Sequence, residues 1–247
     1  MTIELNKIYN MDCLEGMKYI DDKSIDMILC DLPYGTTACK WDTIIPLEPL
    51  WKQYGRIIKD KGAIVLTASQ PFTTTLIKSN MRIFRYCWYW NKSYSVGFMN
   101  ANKMPLRNVE EVVVFYKKLP VYNPQDIIRV DRKHHRKKDK LTTVYNNMGL
   151  RDGEYTQKYT NYPTQILQFG RGGGGTHPTQ KPLGLFEYLI KTYTNVGDLV
   201  LDNCIGSGTT AVACKKLNRR FIGFEISKEY VDIANKRLKE YDNRGTT

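Results

Sequence analysis

The first stretch of this chain that could do chemistry is Asp31-Leu32-Pro33-Tyr34-Gly35, an acid followed closely by an aromatic hydroxyl. Ahead of it, Ser24-Ile25-Asp26-Met27-Ile28-Leu29-Cys30 reads as a buried strand, which Pro33 and Gly35 break. Open α/β sheets place ligands at strand ends. The chemistry that suits an acid and a tyrosine there is methylation of an exocyclic base amine. Such a nitrogen is a poor nucleophile, because its lone pair is delocalised into the ring. Two acceptors on its N–H groups, the Asp31 carboxylate and the Leu32 carbonyl, would draw it toward tetrahedral geometry and stabilise the charge that develops. The Tyr34 ring would stack on the base and fix the approach. A proline turn with an exposed acid accounts for the same residues without any reaction.

The second stretch is Leu199-Val200-Leu201-Asp202-Asn203-Cys204-Ile205-Gly206-Ser207-Gly208-Thr209-Thr210. A buried strand runs into a Gly-Ser-Gly turn and then a helix. Glu225 ends the next strand, 19 residues after Gly206. This is the logic of an adenosine-binding crossover: small residues let the ligand approach the backbone, and an acid on the second strand bonds ribose hydroxyls. A glycine-rich turn can also be plain structure, and the acid at that spacing favours the ligand. No Gly-Lys-Ser/Thr follows, which argues against a phosphate-binding loop.

Other elements must hold these two stretches. Apolar residues at 47, 50, 51, 54 and 58 have helical spacing, and Gly62 to Thr67 reads as a strand. Gln70 to Lys78 suggests a helix. Ile83 to Trp90 and Glu111 to Lys117 read as strands. Regularity is lost over 118–180, which holds the glycine-rich run Gly170 to Gly175. It returns with a helix after Pro182 (apolar 186, 189, 190, 193), a strand at Asp198–Asp202, a helix at Ser207–Leu217, a strand at Arg220–Phe224 and a helix at Lys228–Tyr241. Strand–helix alternation at both ends predicts a parallel α/β sheet.

Composition narrows the partners. The 247 residues suit one domain, or one with a modest insertion. With 37 Lys+Arg against 25 Asp+Glu, the net charge of +12 suggests a polyanion, most often nucleic acid. The densest patch is Arg129 to Lys140, RVDRKHHRKKDK, with seven cations. Like charges packed that tightly either stay solvated or face phosphates. The run has no apolar face for a membrane surface, no window approaches a membrane span, and no signal sequence opens the chain, so a cytoplasmic location is expected. The six Cys form no Cys-x-x-Cys pair and read as reduced structural thiols; with three His, no metal site is expected.

Together these residues resemble the amino-group DNA methyltransferases that use S-adenosylmethionine, specifically the permuted beta group, in which the catalytic motif precedes the cofactor motif. The resemblance covers nearly all of the chain outside roughly 120–170. Asn10-Met11-Asp12-Cys13-Leu14-Glu15 looks like the segment that holds the cofactor adenine, through Asp12 and the backbone at Cys13. Asp31, Leu32, Pro33 and Tyr34 look like the catalytic Asp-Pro-Pro-Tyr, and the resemblance counts Asp31 among the cofactor-binding residues as well. His177-Pro178-Thr179-Gln180-Lys181-Pro182-Leu183 is similar to the segment before the cofactor helix, where Lys181 would meet the methionine carboxylate. Asp202, Asn203, Cys204, Gly206, Ser207, Gly208, Thr209, Thr210 and Glu225 match the cofactor turn and its ribose acid. Trp90-Asn91-Lys92 through Pro105-Leu106-Arg107 resembles the target-base side.

Two departures from the family pattern stand out: Leu32 replaces the first Pro of the catalytic motif, and Asn203-Cys204 replaces the usual Pro-Phe. The resemblance implies a Rossmann-like sheet, mostly parallel with an antiparallel edge, helices on both faces and a small irregular target-recognition insertion. It divides the chain into a catalytic half (1–117), the insertion (118–176) and a cofactor half (177–247). It implies DNA as substrate, as in restriction–modification, contacted by Arg107, Arg132, Lys133, Arg136, Lys137 and Lys138, and it is compatible with a homodimer. An Asp at position 31 points to adenine N6 rather than cytosine N4. No Pro-Cys dipeptide exists to supply a cytosine-C5 nucleophile. An RNA or protein-amide methyltransferase, an inactive DNA-binding module and a nucleotide-binding regulator are the other readings these residues leave open.

Overall fold

The computed structural model describes residues 2–35, 43–136, 153–170 and 180–244. From the N-terminus run β1 (Lys7–Asn10), α1 (Cys13–Met17), β2 (Ile25–Asp31), α2 (Leu47–Ile57), β3 (Ile58–Ala68) and α3 (Phe72–Ser79). Then come β4 (Phe84–Val96), β5 (Arg107–Phe115), β6 (Ile128–Arg136), β7 (Gly153–Thr160) and β8 (Ile166–Gln168). The chain closes with α4 (Leu183–Tyr193), β9 (Leu199–Asp202), α5 (Thr209–Lys216), β10 (Arg220–Glu225) and α6 (Lys228–Arg244). Two compact units result: Met1–Asn123 with Gln165–Thr247, and Pro124–Thr164.

The first unit is built on an eight-stranded sheet in the order β1-β10-β9-β2-β3-β5-β4-β8. Strands β1, β10, β9, β2 and β3 are mutually parallel. β5 runs against both its neighbours, and β8 lies parallel to β4 at the far edge. The reversed strand β5 is thus third from that edge, with β4 and β8 outside it, and the edge strand itself is not antiparallel to its neighbour. Parallel strands covered on both faces must be apolar throughout, and β2 shows the consequence. Its Met27 and Leu29 enter one core with Val200, Leu189, Ala211 and Leu238, on the side of α4, α5 and α6. Ile28 and Cys30 enter the other with Leu201, Leu50, Tyr54 and Leu76, on the side of α1, α2 and α3. Of the expected helical face, α2 buries Leu50 and Tyr54 and adds Ile57, while Ile58 already begins β3.

This topology fixes where a ligand can sit. β2 leads through α2 to β3 on one side, while β9 leads through α5 to β10 on the other. The adjacent strands β2 and β9, in register at Met27–Val200 and Ile28–Leu201, therefore feed helices on opposite faces. Such a switch point opens a crevice at the carboxyl ends of the strands.

The second unit carries the antiparallel pair β6–β7, with Lys133 opposite Thr156 and His134 stacked on Tyr155 at 5.2 Å. The basic run expected as irregular chain is thus strand up to Arg136. Most of its side chains are exposed, so no apolar alternation betrays the pairing. Residues 118–123 belong to the first unit: Lys118 N donates to Asp60 O (3.2 Å), and Asn123 N donates to Thr192 O (2.8 Å) at the end of α4.

Candidate active site

A cavity of about 640 Å³ opens at the switch point. Its wall contains Asp31, Leu32, Pro33 and Tyr34 from the end of β2 together with Asp202, Gly206, Ser207 and Glu225 from the β9 and β10 ends. The two stretches singled out by their chemistry, far apart in the chain, face one space.

Asp31 ends β2 and is held by three donors. Its Oδ1 accepts from the Tyr34 hydroxyl (2.8 Å) and from Thr67 Oγ1 at the end of β3. Its Oδ2 accepts from Lys181 Nζ at 2.6 Å. The Tyr34 hydroxyl oxygen also lies 2.9 Å from Thr67 Oγ1, and the ring stacks on Phe72 at 5.5 Å. Burial, then the nearby Asp31 charge, pushes the Tyr34 phenol well above its ordinary value, so it stays a neutral donor. Lys181, only 9% exposed, also lies 3.5 Å from Glu110 Oε2, and Glu110 Oε1 pairs with Lys92. Burial pulls the Lys181 ammonium down, but the Asp31 and Glu110 carboxylates outweigh it and raise the pKa. Two carboxylates and two ammonium groups thus neutralise one another in a largely water-excluded wall, which is what burying them requires.

The turn after β9 is equally constrained. Asp202 accepts from Cys204 N (3.1 Å) and from the Thr210 hydroxyl, and burial pushes its carboxyl up to about 7. Asn203 Oδ1 accepts from the Tyr54 hydroxyl at 2.5 Å. Glu225 uses one oxygen for Gly206 N (2.9 Å) and the other for Ser227 N (2.8 Å). Each oxygen keeps a second lone pair for a hydroxyl donor. Burial raises its pKa also. Arg237 on α6 donates to Ser207 O (2.5 Å) and Oγ (2.9 Å), pinning the turn from outside. Across the cavity, Asp12 caps α1, accepting from Leu14 N (2.8 Å) and Glu15 N (3.1 Å). Below the turn the thiols of Cys13, Cys30 and Cys204 are all held up, Cys13 chiefly by Cys204 and Cys30 by burial to about 12, so they stay neutral.

The cavity wall takes in Asp12, Cys13, Lys181, Asn203, Cys204, Thr209, Thr210 and Arg107 as well. Gly208 and Pro182 are not part of it. Gly208 takes φ +83° ahead of α5, where a Cβ would lie 2.8 Å from Ala234 Cβ, so its glycine serves helix packing. Pro182 is the N-cap of α4. Arg132 and Lys133 are exposed on β6 in the second unit, which Arg136 ends. Lys137 and Lys138, and the motif residues His177, Pro178 and Thr179, lie outside the described residues. Thr67 and Glu110 join the site from positions that the sequence does not mark, and Lys92 from within a longer run. The available signal for Glu110 is a carboxylate beside the apolar run Val112-Val113-Val114 of a strand, where only a partner makes it tolerable.

Residues 25–236 match the family described as DNA methylase. The type II methyltransferase M1.MboII of Moraxella bovis is 29% identical over 253 residues, covering 94% of this chain and 96% of that protein. M.BglII of Bacillus subtilis, also a type II methyltransferase, is 30% identical over 257 residues, covering 93% of this chain and 68% of the relative. The crystal structure of an M1.HpyAVI–SAM complex superposes with a TM-score of 0.64 at 26% identity, over 94% of this chain and 98% of that one. The cytosine-N4-specific PvuII DNA methyltransferase shares the fold, with a TM-score of 0.69 at 17% identity over 98% and 93% of the two chains. The chain belongs to this DNA methylase family and is an amino-group DNA methyltransferase. Among the described residues, no helix is long and apolar enough to cross a membrane.

Proposed function

We propose that this chain methylates the N6 amine of adenine in DNA, with S-adenosylmethionine as donor, after the base has left the duplex stack. The observation that carries this reading is the single cavity that joins the Asp31 carboxylate to the Gly206–Ser207 turn. The wall fits the donor: a glycine turn for close backbone approach, the Glu225 oxygens for ribose hydroxyls, Asp12 and Cys13 on the adenine side, and the buried Lys181 ammonium for a carboxylate. When bound, the donor supplies an electrophilic methyl on a sulfonium.

The chain does the rest by position and charge. Asp31 is anchored by Tyr34 and Thr67 on one oxygen and by Lys181 on the other, and it accepts an N–H of the amine with its remaining lone pairs. The Leu32 carbonyl is the second acceptor, and Leu32 preserves it although the family's proline is lost. No covalent enzyme intermediate is needed. The aspartate at position 31 supports N6 over cytosine N4, and the basic exposed strand β6 supports a nucleic-acid substrate. M1.MboII and M.BglII, both type II methyltransferases, support sequence-specific modification.

Chromatography of nucleosides from DNA treated with the protein and tritiated S-adenosylmethionine tests this, with RNA and protein treated in parallel. Label in N6-methyl-2′-deoxyadenosine from DNA is expected. Label in N4-methyl-2′-deoxycytidine overturns the base assignment, and label confined to RNA or protein overturns the substrate.

A further inference from the structure

The hairpin formed by β4 and β5 ends in a tip to which the chemistry at Asp31 gives no role. Its stems close at Val96 and Arg107, which pair across the hairpin and both line the cavity. Between them run Gly97-Phe98-Met99-Asn100-Ala101-Asn102-Lys103-Met104-Pro105-Leu106. Phe98 is 68% exposed, Met99 99% and Met104 55%. Scattered apolar residues on a surface need no explanation, but these cluster in one tip at the rim of a cavity.

The tip is also well built. Gly97 takes φ +96° and starts a 3-10 turn over Phe98–Asn100. Asn100 N donates to Gly97 O (2.9 Å), Ala101 N to Phe98 O (3.1 Å) and Met104 N to Asn100 O (3.0 Å). Local backbone bonds therefore hold two large apolar side chains out in water. The tip contains no acid, and its charges are Lys103 and the adjoining Arg107. An apolar point between cations, beside a cavity that takes an extruded base, matches the chemistry of an opened base step flanked by phosphates.

We propose that Phe98 and Met99 form a wedge that enters the DNA stack where the target base leaves it, with Lys103 and Arg107 on the neighbouring phosphates. This rests on the base-amine reading of the cavity. The wedge occupies the vacated space, so it stabilises the extruded state without touching the reacting atoms. Its contribution is largest for a base that must break a pair and small for a base that has none.

The test compares wild type with Phe98→Ala/Met99→Ala on two duplexes carrying the chain's methylation site, mapped beforehand by methylation-sensitive sequencing. One duplex is fully paired. In the other an abasic position faces the target base. On the paired duplex kcat/KM should fall about tenfold or more, and on the abasic duplex less than about twofold. A 2-aminopurine at the target position should brighten with wild type and much less with the variant. Equal losses on both duplexes, or no loss on either, overturn the wedge. So does sedimentation showing that the substitutions split a wild-type dimer, which would make the tip an interface between copies. Mapping that finds no methylated base in DNA from cells expressing the chain overturns the base-amine reading itself.

Discussion

Asp202 shows how far burial reshapes a single group. Its carboxyl has an ordinary value of 3.8 and titrates near 7 in the fold, because the interior disfavours its charge. The folded state therefore binds this proton more readily than the unfolded chain. Its contribution to stability is fully present below the unfolded value and is lost as pH rises through about 7. Chemical denaturation of wild type and Asp202→Asn should show wild type gaining on the variant as pH falls from about 8 to about 5. A stability difference that stays constant across that range contradicts the raised value. The residue scale is also where the sequence is most informative. Asp31, Tyr34, Glu225 and the glycine turn stand out by type and spacing. Thr67, Glu110 and Lys92 do not, because their place in the wall depends on strand register, with Trp90 opposite Glu110.

At the scale of elements, the parallel strands are legible because strands buried on both faces read as unbroken apolar runs. β1 and α1 are not, since they span only Lys7–Asn10 and Cys13–Met17 and β1 finds its partner β10 at the other end of the chain. The β6–β7 hairpin is hidden by its exposure. The turn between β9 and α5 makes a quantitative contrast. At Gly208 a Cβ meets Ala234 at 2.8 Å and φ is +83°, whereas at Gly206 φ is +50° and the nearest atom is Cys204 O at 4.0 Å. Gly208→Ala should cost about 2–4 kcal/mol, backbone strain plus a clash between helices, and Gly206→Ala about 1 kcal/mol. Thermal unfolding ranks them, and a larger loss at Gly206 than at Gly208 contradicts this account of the turn.

At the scale of the whole molecule, a net charge of +12 makes binding to a polyanion strongly salt-dependent. On the proposed reading the exposed cations of β6 contribute to that term. Arg132→Ala/Lys133→Ala should weaken binding across DNA sequences alike and reduce the slope of log K against log salt by roughly 0.9 for each phosphate no longer neutralised. Lys137→Ala/Lys138→Ala should act in the same direction. An unchanged slope in both variants removes this run from the DNA interface.

The two ends of the molecule's chemistry meet at Asp31, and one paired measurement separates them. Asp31→Ala should lower methyl transfer to DNA by roughly 10²-fold or more, the scale of losing a group that stabilises developing charge. Calorimetric titration with S-adenosylmethionine should find the variant's affinity for the donor within a few-fold of wild type. Transfer that survives the substitution, or donor binding that falls as steeply as transfer, contradicts a carboxylate that acts on the base amine.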